Sequence, residues 1–182
     1  MRDYDLTSLS TDLFEKLVEE LCASPDVMGP GIVFFGDGPG AGREASYDGL
    51  IPYPSPDRAW NGYIVVQTKF RQQPLGPTED CAWALGQLKG ELEAFADKST
   101  GRGSPQYYIF VTNTLLSPIE HGCLDSLHNL LAAYRKRLGL RNYAIWDYAT
   151  LCTMLDANDD VRRRYAAFIT PASVFAIFIQ RD

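Results

Sequence analysis

In STDLFEKLVEELCAS, Leu13, Leu17 and Leu21 recur every four residues, and Phe14 and Val18 fill the neighbouring row. That spacing predicts an amphipathic helix that Ser10, Thr11 or Asp12 can cap, with Asp12 and Glu15 at capping-box spacing. SPDVMGPG interrupts the pattern, and GIVFFGDG reads as a short apolar strand closed by glycines. Beyond the turn GPGAG, alternation takes over in REASYDG and sets Glu44, Ser46 and Asp48 on one face of a short polar strand. LIPYPSPDRAWNG is a proline-rich connection, after which YIVVQTKF is the most strand-like stretch of the chain. Its unbroken apolar residues predict a central strand covered on both faces.

After RQQPLGP, Thr78 is placed to cap a helix reaching about Ala96, with Cys81, Leu85, Leu88, Leu92 and Phe95 as its apolar stripe. YYIFVTN reads as another buried strand, LDSLHNLLAAYRKRLG as a helix stopped by Gly139, and NYAIWD as a further strand. The remainder, YATLCTMLDANDDVRRRYAAFITPASVFAIFIQ, reads as short helices. Helix, three strands, helix, strand, helix, strand and final helices together predict an α/β sandwich around a mixed sheet.

Length narrows this to one domain spanning residues 1–182, since the chain has room for one proper core and not for two. With 46% hydrophobic and 22% charged residues the composition is that of a soluble globular protein. No apolar run approaches the roughly 20 residues of a membrane span, and MRDYDLTSLS lacks the pattern of a signal peptide. A cytoplasmic location with no membrane partner is expected. The four cysteines, Cys22, Cys81, Cys123 and Cys152, lie far apart without CxxC spacing, so they are expected to be buried small apolar residues. A net charge of -6 argues against a protein that coats nucleic acid, while leaving room for a local basic groove.

The chemistry concentrates where YIVVQTKF turns polar. Gln67 and Lys69 are two residues apart and share a face, and Thr68 points away. An amide and an ammonium at the end of a buried strand cost desolvation unless an anion compensates, and Glu44 on the adjacent strand is the expected partner. A carboxylate, an amide oxygen and a main-chain carbonyl such as that of Thr68 offer oxygen ligands to a hard cation, which suits Mg²⁺ with water positions left open. Lys69 beside the attacking water or the phosphate stabilises developing negative charge, a phosphodiester-cleaving arrangement. Asp48 is a rival to Glu44 on the same face, although Gly49 suggests a turn there, and Asp37 is a third candidate.

Other motifs carry less. DGPGAG lacks the GK[ST] of a phosphate loop. His121 and His128 have no acid or cysteine partner at a recognisable spacing. Arg162 to Arg164 and Arg135 to Arg137 read as helix-terminal charge and solvated faces. Arg43 and Arg71 are the better candidates for DNA phosphate contacts, because each adjoins a proposed site residue. Trp60, Trp83 and Trp146 read as core or rim aromatics.

The helix dipeptide FE (Phe14, Glu15), the turn GAGRE ending in Glu44, and the strand end VVQTK resemble the Mrr-like branch of the PD-(D/E)XK nuclease superfamily, in which glutamine replaces the second acid. The resemblance implies a restriction-endonuclease-like sandwich, a central mixed sheet flanked by helices. It also implies Glu44 as the metal-binding acid, Gln67 as the second site residue, Lys69 as the catalytic lysine and Glu15 as the helix glutamate that approaches them. The family usually has aspartate where this chain has Glu44. These motifs span residues 10 to 71, and residues 72 to 182 complete the fold and lead to a linker.

The later segments are similar to the C-terminal part of nuclease domains that open large STAND-type NTPases of bacterial antiviral defence. That similarity implies an effector domain of a longer chain, with NTPase and sensor domains as partners and activity through oligomerisation. The expected activity is Mg²⁺-dependent cleavage of duplex DNA, with Mn²⁺ able to substitute. A catalytically inactive DNA- or protein-binding module on the same fold, or a nuclease acting on RNA or single strands, stands as the alternative.

Overall fold

Alternation along the central strand decides the architecture. In β3 (Trp60–Lys69), Ile64 and Val66 pack to one side of the sheet while Val65 packs to the other, so both sides must be covered by apolar layers. The computed structural model describes residues 4–25, 27–34, 45–100 and 103–171. Among these residues five strands, β1 (Val33–Phe34), β2 (Ala45–Ile51), β3, β4 (Tyr107–Thr112) and β5 (Asn142–Trp146), lie side by side in chain order. β2 runs antiparallel to β1 and β3, whereas β3, β4 and β5 are mutually parallel. Mixed α/β architecture around a mixed sheet is therefore as expected, with β3 in the middle.

The parallel pairs require crossovers, supplied by α2 (Pro77–Ala96) and α3 (Cys123–Leu138), which cover the Val65 face together. α1 (Thr11–Ala23), α4 (Tyr148–Ala157) and α5 (Asp159–Ile169) cover the Val66 face. On that face the proline-rich connection folds onto the sheet. The Tyr53 ring meets Trp60 and Trp146 edge-on at 4.9 and 5.7 Å, and Trp146 Nε1 donates to the Tyr53 hydroxyl at 2.9 Å.

Several local expectations are corrected. Ser10 caps α1, its hydroxyl accepting from Leu13 N at 3.2 Å, so Leu13 holds the third helical position and Glu15 lies beyond capping-box reach. Gly76, not Thr78, caps α2, with Pro77 as its first residue. The buried stripe of α2 is Asp80, Ala84, Leu88, Leu92 and Phe95, which moves Leu85 to the edge. Gly49 makes no turn. It continues β2 opposite Gly62, and both adopt positive φ, 152° and 140°. A Cβ at Gly62 would lie 1.7 Å from Gln106 Oε1, the oxygen that accepts from Tyr63 N at 3.3 Å.

The cysteines split into two kinds. Cys22 and Cys152 are fully buried, as expected. Cys81 and Cys123 instead form a disulfide, joining the N-terminal parts of α2 and α3. Their separation of 42 residues hid this, because spacing along the chain says nothing of the packing of two helices side by side. Among the described residues no helix is long and apolar enough to cross a membrane.

Candidate functional site at the carboxyl end of the central strand

The last residues of β3 place two polar side chains under α2. Gln67 lies opposite Phe110 of β4 and Lys69 opposite Thr112, on the face lined by Val65, Tyr108 and Phe110. Gln67 is fully buried, and the Lys69 and Glu91 side chains are only 20% and 15% exposed. Lys69 Nζ sits 2.8 Å from Glu91 Oε1, so α2 delivers a carboxylate to this strand end. An ammonium shielded from water needs such a counter-charge. Thr68, 5% exposed, belongs by alternation to the opposite face.

Glu91 was absent from the expected site. Its signal was nevertheless in the helix pattern, three residues after Leu88 and four before Phe95, on the side of α2 that faces the sheet. A charged residue in an apolar row is either paired or exposed, and here it is paired.

The expected anionic partner, Glu44, lies outside the described residues, as do Arg43 and Asp37. The described part of β2 begins with Ala45 opposite Val66 and Ser46 opposite Val65. Asp48 is exposed and opposite Tyr63. Four residues along β3 separate Tyr63 from Gln67, about 13 Å at the rise of a strand, so Asp48 is not brought to the polar end. Glu15 is half-buried on α1, in the layer across the sheet. Its neighbour Phe14 meets Phe70, the residue after Lys69, with ring centroids 5.2 Å apart.

Arg71 is anchored rather than extended. Its main-chain N–H donates to Asn113 Oδ1 at 2.7 Å and its carbonyl accepts from Asn113 Nδ2 at 3.0 Å, tying the exits of β3 and β4 together. Its guanidinium meets Asp80 Oδ1 at 3.2 Å and lies over the Trp83 ring at 5.2 Å. Asp80 also accepts from Leu75 N at 3.0 Å and Gly76 N at 3.2 Å, which organises the entry to α2. Burial alone pushes its carboxyl up, but those two N–H groups and the Arg71 guanidinium outweigh burial and hold it below the usual carboxylate range. A cavity of about 320 Å³ opens between these exits, lined by Pro74, Pro77, Asn113, Leu115 and Tyr148. Crevices outside the carboxyl ends of parallel strands are where α/β sheets bind ligands.

Most arginines of the other basic runs have partners within the chain. Arg162 and Arg163 pair with Asp159, Arg164 pairs with Glu20 at 2.8 Å, and Arg135 donates to the carbonyls of Leu140 and Arg141 at the end of α3. His121 is exposed, and His128 packs near the Tyr143 ring. Among the described residues no group of three or more His, Cys, Asp or Glu is placed to hold a metal ion. The chain matches no protein-family model, no curated protein and no solved structure.

Proposed function

We propose that this chain is a metal-dependent deoxyribonuclease domain on a restriction-endonuclease-like sandwich, cutting duplex DNA by attack of water on a scissile phosphate. One observation carries the reading: the buried apolar run at residues 64–66 of the central strand leads into Gln67 and Lys69, two residues apart on one face and shielded from solvent. Buried polar groups at a strand end cost stability and persist where chemistry uses them. β2 supports the same site, because Ala45, the residue after Glu44, pairs with Val66, the residue before Gln67.

In this reading Glu44, the Gln67 amide and the Thr68 carbonyl are the metal ligands. The described members of that set are oxygen donors of the kind that a hard cation such as Mg²⁺ or Mn²⁺ takes. The cation, when bound, supplies Lewis acidity and an acidified water. Lys69 stabilises the negative charge that grows on the phosphate, and Glu15 approaches from the opposite layer. Arg43 remains the candidate for a backbone phosphate, while Arg71 supports the site through Asp80 and Asn113. Cutting both strands calls for two copies, so a homo-oligomer is proposed, along with NTPase and sensor domains elsewhere in a longer antiviral effector. The proposed compartment is the cytoplasm, whose reducing poise would act on the Cys81–Cys123 pair.

The test is cleavage of supercoiled plasmid with Mg²⁺, Mn²⁺ or EDTA, using wild type, Lys69→Ala and Glu44→Ala, with forced dimerisation as a second arm. Metal-dependent cutting that falls by about 10²-fold or more in either variant, with unchanged thermal melting, is expected. Equal cutting by wild type and Lys69→Ala, or none by wild type in either arm, defeats the reading.

A further inference from the structure

A phosphate that is to meet Lys69 must deal with Glu91 first. The Lys69 ammonium already touches a carboxylate oxygen at 2.8 Å, and both side chains are largely withdrawn from solvent. Glu91 lies toward the C-terminal end of a 20-residue helix whose Leu88, Leu92 and Phe95 are buried against the sheet. The carboxylate is therefore held in place by packing rather than drifting on a surface. An ammonium has three donors and no preferred plane, so it can pass from one anionic oxygen to another without a change of fold.

We propose that Glu91 is the resting counter-ion of Lys69, and that entry of a phosphodiester into the site is an exchange of the Glu91 carboxylate for a phosphate oxygen on that ammonium. The proposal rests on the reading of Lys69 as a phosphate-facing lysine. In the resting state the pair neutralises itself, and the carboxylate repels any second anion brought to the same ammonium. Glu91 thereby sets a threshold on binding. Weakly held nucleic acid does not displace it, whereas a duplex anchored elsewhere, or drawn in by a cation at the Gln67 side, does. The net charge of -6 raises that threshold further, because the whole chain disfavours polyanions.

The measurement is anisotropy of a fluorescent 20-base-pair duplex in EDTA, over a range of salt, with wild type, Glu91→Gln, Lys69→Ala and the double variant. Glu91→Gln is expected to bind about fivefold to tenfold more tightly than wild type, with a salt slope steeper by about one phosphate contact. Lys69→Ala is expected to bind more weakly than wild type, and Glu91→Gln in that background to add nothing. Wild-type affinity or weaker in Glu91→Gln overturns the exchange while leaving Lys69 as a phosphate ligand. A gain that survives in the Lys69→Ala background also overturns it, because the effect is then one of overall charge. Equal binding by wild type and Lys69→Ala, or no binding by any of the four, removes the phosphate-facing lysine and the exchange with it. Should Glu91→Gln fail to fold by thermal melting, Glu91→Met, of similar length and without charge, carries the same expectation.

Discussion

On the face covered by α1, α4 and α5, β3 and β4 run out through Val66, Thr68 and Val111 into a dry aromatic layer where Phe14 meets Phe70 and Trp146 is 1% exposed. On the face covered by α2 and α3, the same two strands run out through Gln67, Lys69 and Thr112, beside an ion pair and close to a disulfide. One backbone serves both because side chains alternate, as in β4, which finishes in Val111 on one side and Thr112 on the other. The first face concentrates stability and the second concentrates chemistry, braced by covalent and ionic links where apolar packing gives out.

The largest test of that contrast removes packing from the dry face. Trp146→Ala deletes a fully buried ring that contacts Tyr53 and is expected to cost about 3–5 kcal/mol in urea unfolding. A loss under about 1 kcal/mol would mean that the aromatic layer is not the anchor of the fold.

Next in size is the staple on the polar face. Replacing Cys81 and Cys123 by serine is expected to lower stability by about 2–4 kcal/mol, and a dithiol reductant should lower the wild type by a similar amount. Four free thiols in the air-purified native protein, read by alkylation and mass, would show that the two helices are held by packing alone.

The smallest expected effect is that of Asp80. Its carboxyl is held low in the folded state, so the stability it contributes is fully present above its unfolded value, about 3.9, and is lost as pH falls through the lower folded value. Asp80→Asn should therefore cost about 1–3 kcal/mol near neutral pH, with the gap to wild type constant down to pH ~5 and closing below pH ~4. A gap that does not close in acid assigns the cost to geometry rather than to charge.

Much of the fold was legible along the chain because its strongest signals are local. The apolar runs YIVV and YYIFV became the centres of the two most buried of the described strands, and Gly139 stopped α3 in the left-handed conformation that only a short or absent side chain accepts easily. Caps were less legible. Thr78 has the right chemistry for capping, but Asp80 reaches back to the Leu75 and Gly76 N–H groups and Pro77 already has the backbone angle of a first helical residue. Gly49 looked like a turn because glycine permits one, while the cross-strand approach to Gly62 that it serves involves a residue on another strand.

The candidate site divides along the same line. That Gln67 and Lys69 share a face and that Thr68 leaves it follows from the two-residue period of a strand, which holds in any fold. That this face lies under α2, that Glu91 meets Lys69, and that Cys81 finds Cys123 follow from the parallel crossovers and from which apolar stripes bury one another. Periodicity is a property of neighbours along the chain. Partnership depends on the free energy of closing the whole core, which no local stretch contains.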